Sequence, residues 1–346
     1  METVEIRIKS LRAIAKQSDE VVASRLAFLA MTQKGSTDIM NKKMLLVLMA
    51  VGNALPSVFI KYLSSHFDPF TQSFYRFLAA GVFFLIIAFI FFRTELKETC
   101  ADRRSIFFII LLTLVNLGSV VLWVTGIYLV PATLAELLSK LQVIIIVVFS
   151  YLLFRDEQEV IRSRSFFAAS ILCIAGVAGV ILGKGAPVTG YSKGVVLVIL
   201  GSFLSSIYAL LAKKALNRTH PVVLSTLNVL LMSAGFLLLG LFWGDPGSIT
   251  RAAPGITVFM LFSGVIGVGS GVGLYLLNIR SAGVVVTNMV LLVTPLFTAI
   301  FAFLSMGEKL TPWQMVWGAV LVTGCYILIK SQRVIVKDSF QKSKCP

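Results

Sequence analysis

Long apolar runs alternate with short charged connections along most of this 346-residue chain. Ten runs stand out, over roughly 44–63, 72–92, 106–128, 132–154, 166–182, 194–212, 222–243, 256–277, 283–305 and 312–330. A helix of roughly 20 residues crosses ~30 Å of hydrocarbon, and the runs have about that length. Soluble helices of comparable length would carry a polar face at helical spacing, and these runs do not. Inside lipid every backbone polar group must be bonded within its own segment, so the pattern predicts ten transmembrane helices. Residues 1–43 and 331–346 form charged tails. "VVASRLAFLAM" (21–31) is too short to span. Acids and bases are scattered through the first tail, which argues against a cleavable signal peptide.

Composition sharpens this picture. Hydrophobic residues make up 57% of the chain and charged residues only 14%, which excludes an ordinary soluble domain. A net charge of +15 invites a nucleic-acid partner, but its distribution argues for none. With the N-terminus cytoplasmic, 24 of the 31 Lys and Arg fall in cytoplasmic connections and tails and 5 on the opposite side; Arg76 and Lys140 lie inside runs. That asymmetry is the positive-inside pattern, and it puts both termini in the cytoplasm of a cell-membrane protein. The four cysteines have no metal-ligand spacing, and Cys173 and Cys325 lie inside runs, so no metal or cofactor is expected. The sequon "NRT" (217–219) falls in a connection on the cytoplasmic side, where no glycan is expected.

The chain also repeats itself. Residues 57–86 match 209–239, pairing Pro69 with Pro221, Lys61 with Lys213 and Arg76 with Asn228 at an offset of 152. Residues 149–177 match 300–328, pairing Glu157 with Glu308 and Cys173 with Cys325. The repeats cover 44–183 and 194–330. Each holds five runs, and an odd number makes the second copy cross the membrane in the opposite sense to the first. The expected fold is therefore an all-α membrane protein of ten helices in two inverted five-helix repeats, an arrangement typical of carriers that rock one half against the other.

These features resemble the EamA-like branch of the drug/metabolite transporter superfamily. The resemblance rests on the Pro69-then-Arg76 pattern, on "RDEQ" (155–158), on "GEKLTPWQMVWGAVLVTGCYIL" (307–328), and on Pro295 thirteen residues before Glu308. It spans about 44–330. Ile144 stands where the family usually has proline, and "RDE" replaces "GE", so the break that proline assists in the ninth run is expected to be missing from the fourth. The resemblance implies a central cavity, alternating access, and small polar metabolites or drugs as substrates. It also implies organic-anion recognition by a basic residue four positions before the proline position, where Lys140 stands.

Glu136 and Lys140 are the chemistry the runs can least easily carry. A lone charge at mid-span costs about 2.5–3.5 kcal/mol on insertion scales. Four residues apart, with Glu first, the two share one helix face and can pair. Lys140 lies roughly 12 Å into its run at ~1.5 Å per residue, near the midplane; Glu136 lies closer to the outer surface. The expected roles are an anion seat at Lys140, with Glu136 restraining it or carrying a proton; the alternative is a structural ion pair. The symmetry mates, Thr287 and Leu291, are neutral, with Asn288 alongside. Trp123, Gln142, Tyr208 and Tyr275 complete the expected substrate wall, with Asn116, Ser139 and Thr294 at comparable depth. Arg76, one turn into the second run, is expected to snorkel or hold a helix end.

The glycines at 267, 269, 271 and 273 suit close helix approach and not phosphate binding. No nucleophile, base or metal cluster appears. The leading expectation is a secondary or facilitative carrier of a small polar, anionic metabolite, with a coupling proton or counter-substrate admitted. An intramembrane enzyme and a non-transporting receptor or scaffold are the alternatives.

Overall fold

The computed structural model describes residues 37–154, 158, 164–182, 192–307 and, beyond these, 312, 313, 316–320, 323, 324 and 327. Two compact units emerge, Met1–Leu45 and Leu46–Pro346, and the first is described only from residue 37. Every regular element among the described residues is helical. In order they are α1 (Thr37–Leu63), α2 (Pro69–Phe91), α3 (Arg93–Ala101), α4 (Arg103–Leu129), α5 (Ala132–Ser139), α6 (Leu141–Leu153), α7 (Arg164–Leu182), α8 (Ser192–Ala215) and α9 (Pro221–Trp243). Then come α10 (Pro254–Ser263), a π-helical stretch (Gly264–Leu274), α11 (Tyr275–Ala282), α12 (Val284–Val290), a 3₁₀ turn (Leu291–Val293) and α13 (Thr294–Met306).

Among the described residues, eight segments are long and apolar enough to cross a membrane, and they coincide with eight of the ten runs. The fifth run is the helix α7. Nine of the nineteen positions of the tenth run, residues 1–36 and 331–346 of the tails, residues 155–157 and 159–163, Glu308 and Cys325 lie outside the described residues. Large apolar side chains face outward along the spans, among them Phe83, Ile86, Phe89 and Ile90 on α2 and Leu238, Leu241 and Phe242 on α9. Trp243 is exposed at the end of α9, where an aromatic ring suits the membrane–water interface.

The repeat is visible in how helices start. α2 and α9 each begin on proline and run 23 residues. Proline suits the first turn because its missing N–H would have no helical partner there. The preceding residues cap: Asp68 Oδ1 accepts from Phe70 N at 3.0 Å and Thr71 N at 2.9 Å, and His220 Nδ1 accepts from Val222 N at 3.4 Å.

The two sequence repeats meet where α4 packs on α8 and α2 on α9. Small residues allow the close approach that replaces hydrophobic driving force within lipid. Ser119 Oγ donates to Gly201 O at 2.9 Å, and a Cβ on Gly126 would lie 2.5 Å from the Val198 side chain.

One expectation fails. The fourth run is broken although it has no proline. Ser139 Oγ donates to Glu136 O at 2.7 Å, taking the carbonyl that the Lys140 N–H would use in an unbroken α-helix. Lys140 N turns instead to Leu137 O at 3.1 Å, and Val143 N to Lys140 O at 3.0 Å, so the chain tightens for one turn between α5 and α6. The ninth run breaks at the matching place, the Leu291–Val293 turn, with Pro295 in the first turn of α13.

Candidate functional site

The break after α5 delivers Glu136 and Lys140 to the interior, where they are 4% and 5% exposed. Lys140 Nζ donates to Glu136 Oε1 at 2.5 Å. Thr294 Oγ1 donates to the same oxygen at 2.7 Å, and Ser57 Oγ to Oε2 at 2.6 Å. Donors from α1, from the fourth-run break and from the start of α13 therefore converge on one carboxylate. The pair carries no net charge, and both carboxylate oxygens are engaged. Such an arrangement offsets the desolvation of two buried ions only because every strong acceptor is satisfied.

Above this pair lies an amide and aromatic cluster. The Tyr208 and Tyr275 rings stack with centroids 6.5 Å apart and planes 20° apart. Tyr275 Oη lies 3.2 Å from Asn288 Oδ1, which also accepts from Gln142 Nε2 at 3.3 Å. Asn288 Nδ2 donates to Val284 O at 2.8 Å. Asn228 Nδ2 donates to Tyr208 Oη at 3.4 Å, and Asn228 Oδ1 accepts from Thr113 Oγ1 at 3.1 Å.

An open cavity lies between these elements. Its walls include Trp123, Glu136, Lys140, Gln142, Tyr208 and Tyr275, with Asn53, Asn116, Ser119, Ser139, Ser202, Ser205 and the glycines Gly267 and Gly271 of the π-helix. The structure thus gathers six of the seven expected site residues on one cavity. Asn288 stands behind the wall, orienting Tyr275 and Gln142. Thr294 stands behind it too, holding Glu136.

Arg76 departs from expectation. It does not reach toward an interface: it is 3% exposed and lines the cavity. Ser57, which binds Glu136, was not singled out in the sequence either. Its only sequence signal is a hydroxyl directly after Pro56 inside an apolar run, where proline frees backbone groups that polar neighbours then serve.

Chemically, the cavity offers hydrogen-bond donors and acceptors, two aromatic faces and buried charge, a combination suited to holding a small polar molecule. Among the described residues no group of His, Cys, Asp and Glu could hold a metal ion.

Comparison with known proteins fits this architecture. The sequence profile of the EamA-like transporter family matches residues 41–182 and 192–330, one copy for each half. An uncharacterized transporter of Haemophilus influenzae is 23% identical over 296 residues, covering 84% of this chain and 97% of that protein. Another, from Methanothermobacter thermautotrophicus, is 26% identical over 293 residues, covering 78% and 80%. A protein crystal structure superposes with a TM-score of 0.62 at 16% identity, covering 84% of this chain and 99% of that one, a likeness of fold. The matched helix breaks, the paired proline starts and the two profile copies agree: this chain is a member of the EamA-like transporter family.

Proposed function

We propose that this protein is a secondary or facilitative carrier that moves a small polar, anionic metabolite across a cell membrane by alternating access. In this reading ten helices form two inverted five-helix repeats, with both termini cytoplasmic. The observation that carries it is the open cavity at the two matched helix breaks, walled by aromatic, amide and charged side chains from both halves. Broken helices at mid-membrane are where carriers place their substrates, because irregular backbone is tolerated there only against protein or water.

Trp123, Tyr208, Tyr275 and Gln142 are the wall against which the substrate packs. Glu136 and Lys140 position the fourth-run break, joining α1 and α13 to it through Ser57 and Thr294. A coupling proton or a counter-substrate completes the cycle. The test is flux in proteoliposomes loaded with a metabolite panel. Saturable uptake or exchange is expected, and Tyr275→Ala together with Trp123→Ala should raise the half-saturating concentration. A receptor or scaffold gives no saturable flux, and that result would remove the carrier reading.

A further inference from the structure

The cavity wall holds three charged side chains: Arg76, Glu136 and Lys140. Glu136 and Lys140 neutralise each other at 2.5 Å. Arg76 is the remaining charge, and among the described residues no group of opposite sign pairs with it. Among the described residues its Nε and Nη2 have no hydrogen-bond partner, and the side chain is 97% buried. The acid nearest along its own helix is Asp68, eight residues away or about 12 Å at ~1.5 Å per residue. Asp68 is engaged elsewhere: Oδ1 caps Phe70 and Thr71, and Oδ2 accepts from Asp245 N at 3.1 Å.

The symmetry mate makes the contrast plain. Asn228 occupies the matching position of α9, is fully buried and is bonded to Thr113 and Tyr208. A neutral amide therefore suffices for packing at this position. A guanidinium there is costly in a membrane span unless it faces a ligand or water, which is why intramembrane ionisable residues mark functional sites. The surroundings are shaped to it. A Cβ on Gly264 would lie 2.4 Å from the Arg76 carbonyl oxygen, and one on Gly267 would lie 3.1 Å from Nη2. The π-helix thus gives Arg76 a glycine face, and π-helical turns recur at functional sites.

Building on the carrier reading, we propose that Arg76, and not Lys140, receives the substrate's anionic group, a carboxylate or phosphate oxyanion. Nε and Nη2 share one edge of the guanidinium and donate in parallel, a fork that matches two oxygens of either group. In this conformation that edge is sealed from water against the glycine face. Binding draws the π-helical wall back from it, and the missing side chains at 264 and 267 leave nothing to interlock. The oxyanion then sits on Arg76 while its polar body meets Gln142, Tyr208 and Tyr275.

The experiment uses the purified full chain in detergent, with inorganic phosphate and acetate as probes, each titrated against thermal unfolding. Wild type is stabilised by at least one probe, and the stronger identifies the oxyanion. Arg76→Gln weakens that binding by about 10- to 100-fold, and Arg76→Lys by less, as loss of a charged bidentate contact requires. The double change Glu136→Gln with Lys140→Met, which removes the neutral pair together, weakens it by less than Arg76→Gln does.

Undiminished binding in Arg76→Gln, or a loss confined to the pair variant, overturns the assignment. A readout on wild type alone covers failure of the variants to fold. Phenylglyoxal labelling of the Arg76 peptide, followed by mass spectrometry, should be slowed by the bound probe. A peptide that never labels, or labels at the same rate with and without probe, also overturns it. Anion binding at Arg76 without saturable flux keeps this assignment and removes the carrier. Saturable flux of neutral metabolites with no binding of either probe does the reverse.

Discussion

Replacing Glu136 by Gln keeps the shape of the side chain and removes its charge. Three close donors now point at that carboxylate: Lys140 Nζ at 2.5 Å, Ser57 Oγ at 2.6 Å and Thr294 Oγ1 at 2.7 Å. Gln can still accept from one hydroxyl, so the main loss is the partner of a buried ammonium that is 5% exposed. Breaking a buried pair from one side costs about 3–5 kcal/mol, because it strands the other charge. Exchanging both partners for neutral residues of similar size is close to neutral, within about 1 kcal/mol. Glu136→Gln should therefore lower unfolding free energy by about 3 kcal/mol, while Glu136→Gln with Lys140→Met recovers most of it. The assay is dodecyl sulfate unfolding of the purified chain, followed by tryptophan fluorescence. A single-variant cost below about 1 kcal/mol, with additive effects in the double variant, would mean the pair is not a coupled, desolvated unit.

Gly264→Ala should abolish the folded state, since its Cβ meets the Arg76 backbone at 2.4–2.9 Å and backbone cannot swing aside; the yield of monodisperse protein on size exclusion checks this. Gly126→Leu should weaken the α4–α8 crossing, where a Cβ would meet the Val198 side chain at 2.5 Å and Gly194 O at 3.1 Å, and the loss should appear in the same unfolding assay. His220, outside the spans, has its pKa lowered by burial and then by Arg280, against a raising influence of Glu95. The folded state therefore favours the neutral ring that caps α9. Stability should fall as pH drops below the ordinary histidine value of about 6.5 toward the depressed folded value, and His220→Asn should remove that slope in pH-dependent melting. For topology, single cysteines at positions 217 and 245 in a cysteine-free background should react with impermeant maleimide from opposite sides; labelling from one side refutes the inverted arrangement.

Membrane spans were legible because lipid imposes one rule on the whole length of a helix, and a run of twenty apolar residues cannot hide it. Glu136 and Lys140 were legible for the opposite reason, as charges where charge is expensive. The fourth-run break was not. Proline is a covalent signal that a sequence displays, whereas the break at Lys140 carries only a serine hydroxyl bonded to one carbonyl, and serines such as Ser73, Ser202 and Ser305 bond a carbonyl one turn back within unbroken helices. The burial of Arg76 was not legible: its distance from the helix start suggests reach to the interface, and its burial depends on the glycine face of the π-helix, 188 residues later in sequence for Gly264, which no local pattern reveals. Asn288 could be placed near the site by symmetry with the fourth run, but its role behind Tyr275 and Gln142 depends on side-chain rotamers.

The two matched breaks are made of unequal material, and that inequality gives the protein a stiff elbow and a compliant one. At Pro295 the pyrrolidine ring forbids a straight helix. At Lys140 no ring stands in the way: beside the bonds that Glu136 makes, the backbone is held by a hydroxyl bond, and a rotation of Ser139 about one side-chain torsion would leave the Glu136 carbonyl to the backbone. Spin-label distances across residues 134 and 148 should lengthen in Ser139→Ala, and an unchanged distance would remove the idea. If the elbow straightens, the same stroke lifts Lys140 and Gln142 relative to Thr294, so the cavity changes shape through the first half while the second serves as the fixed jaw.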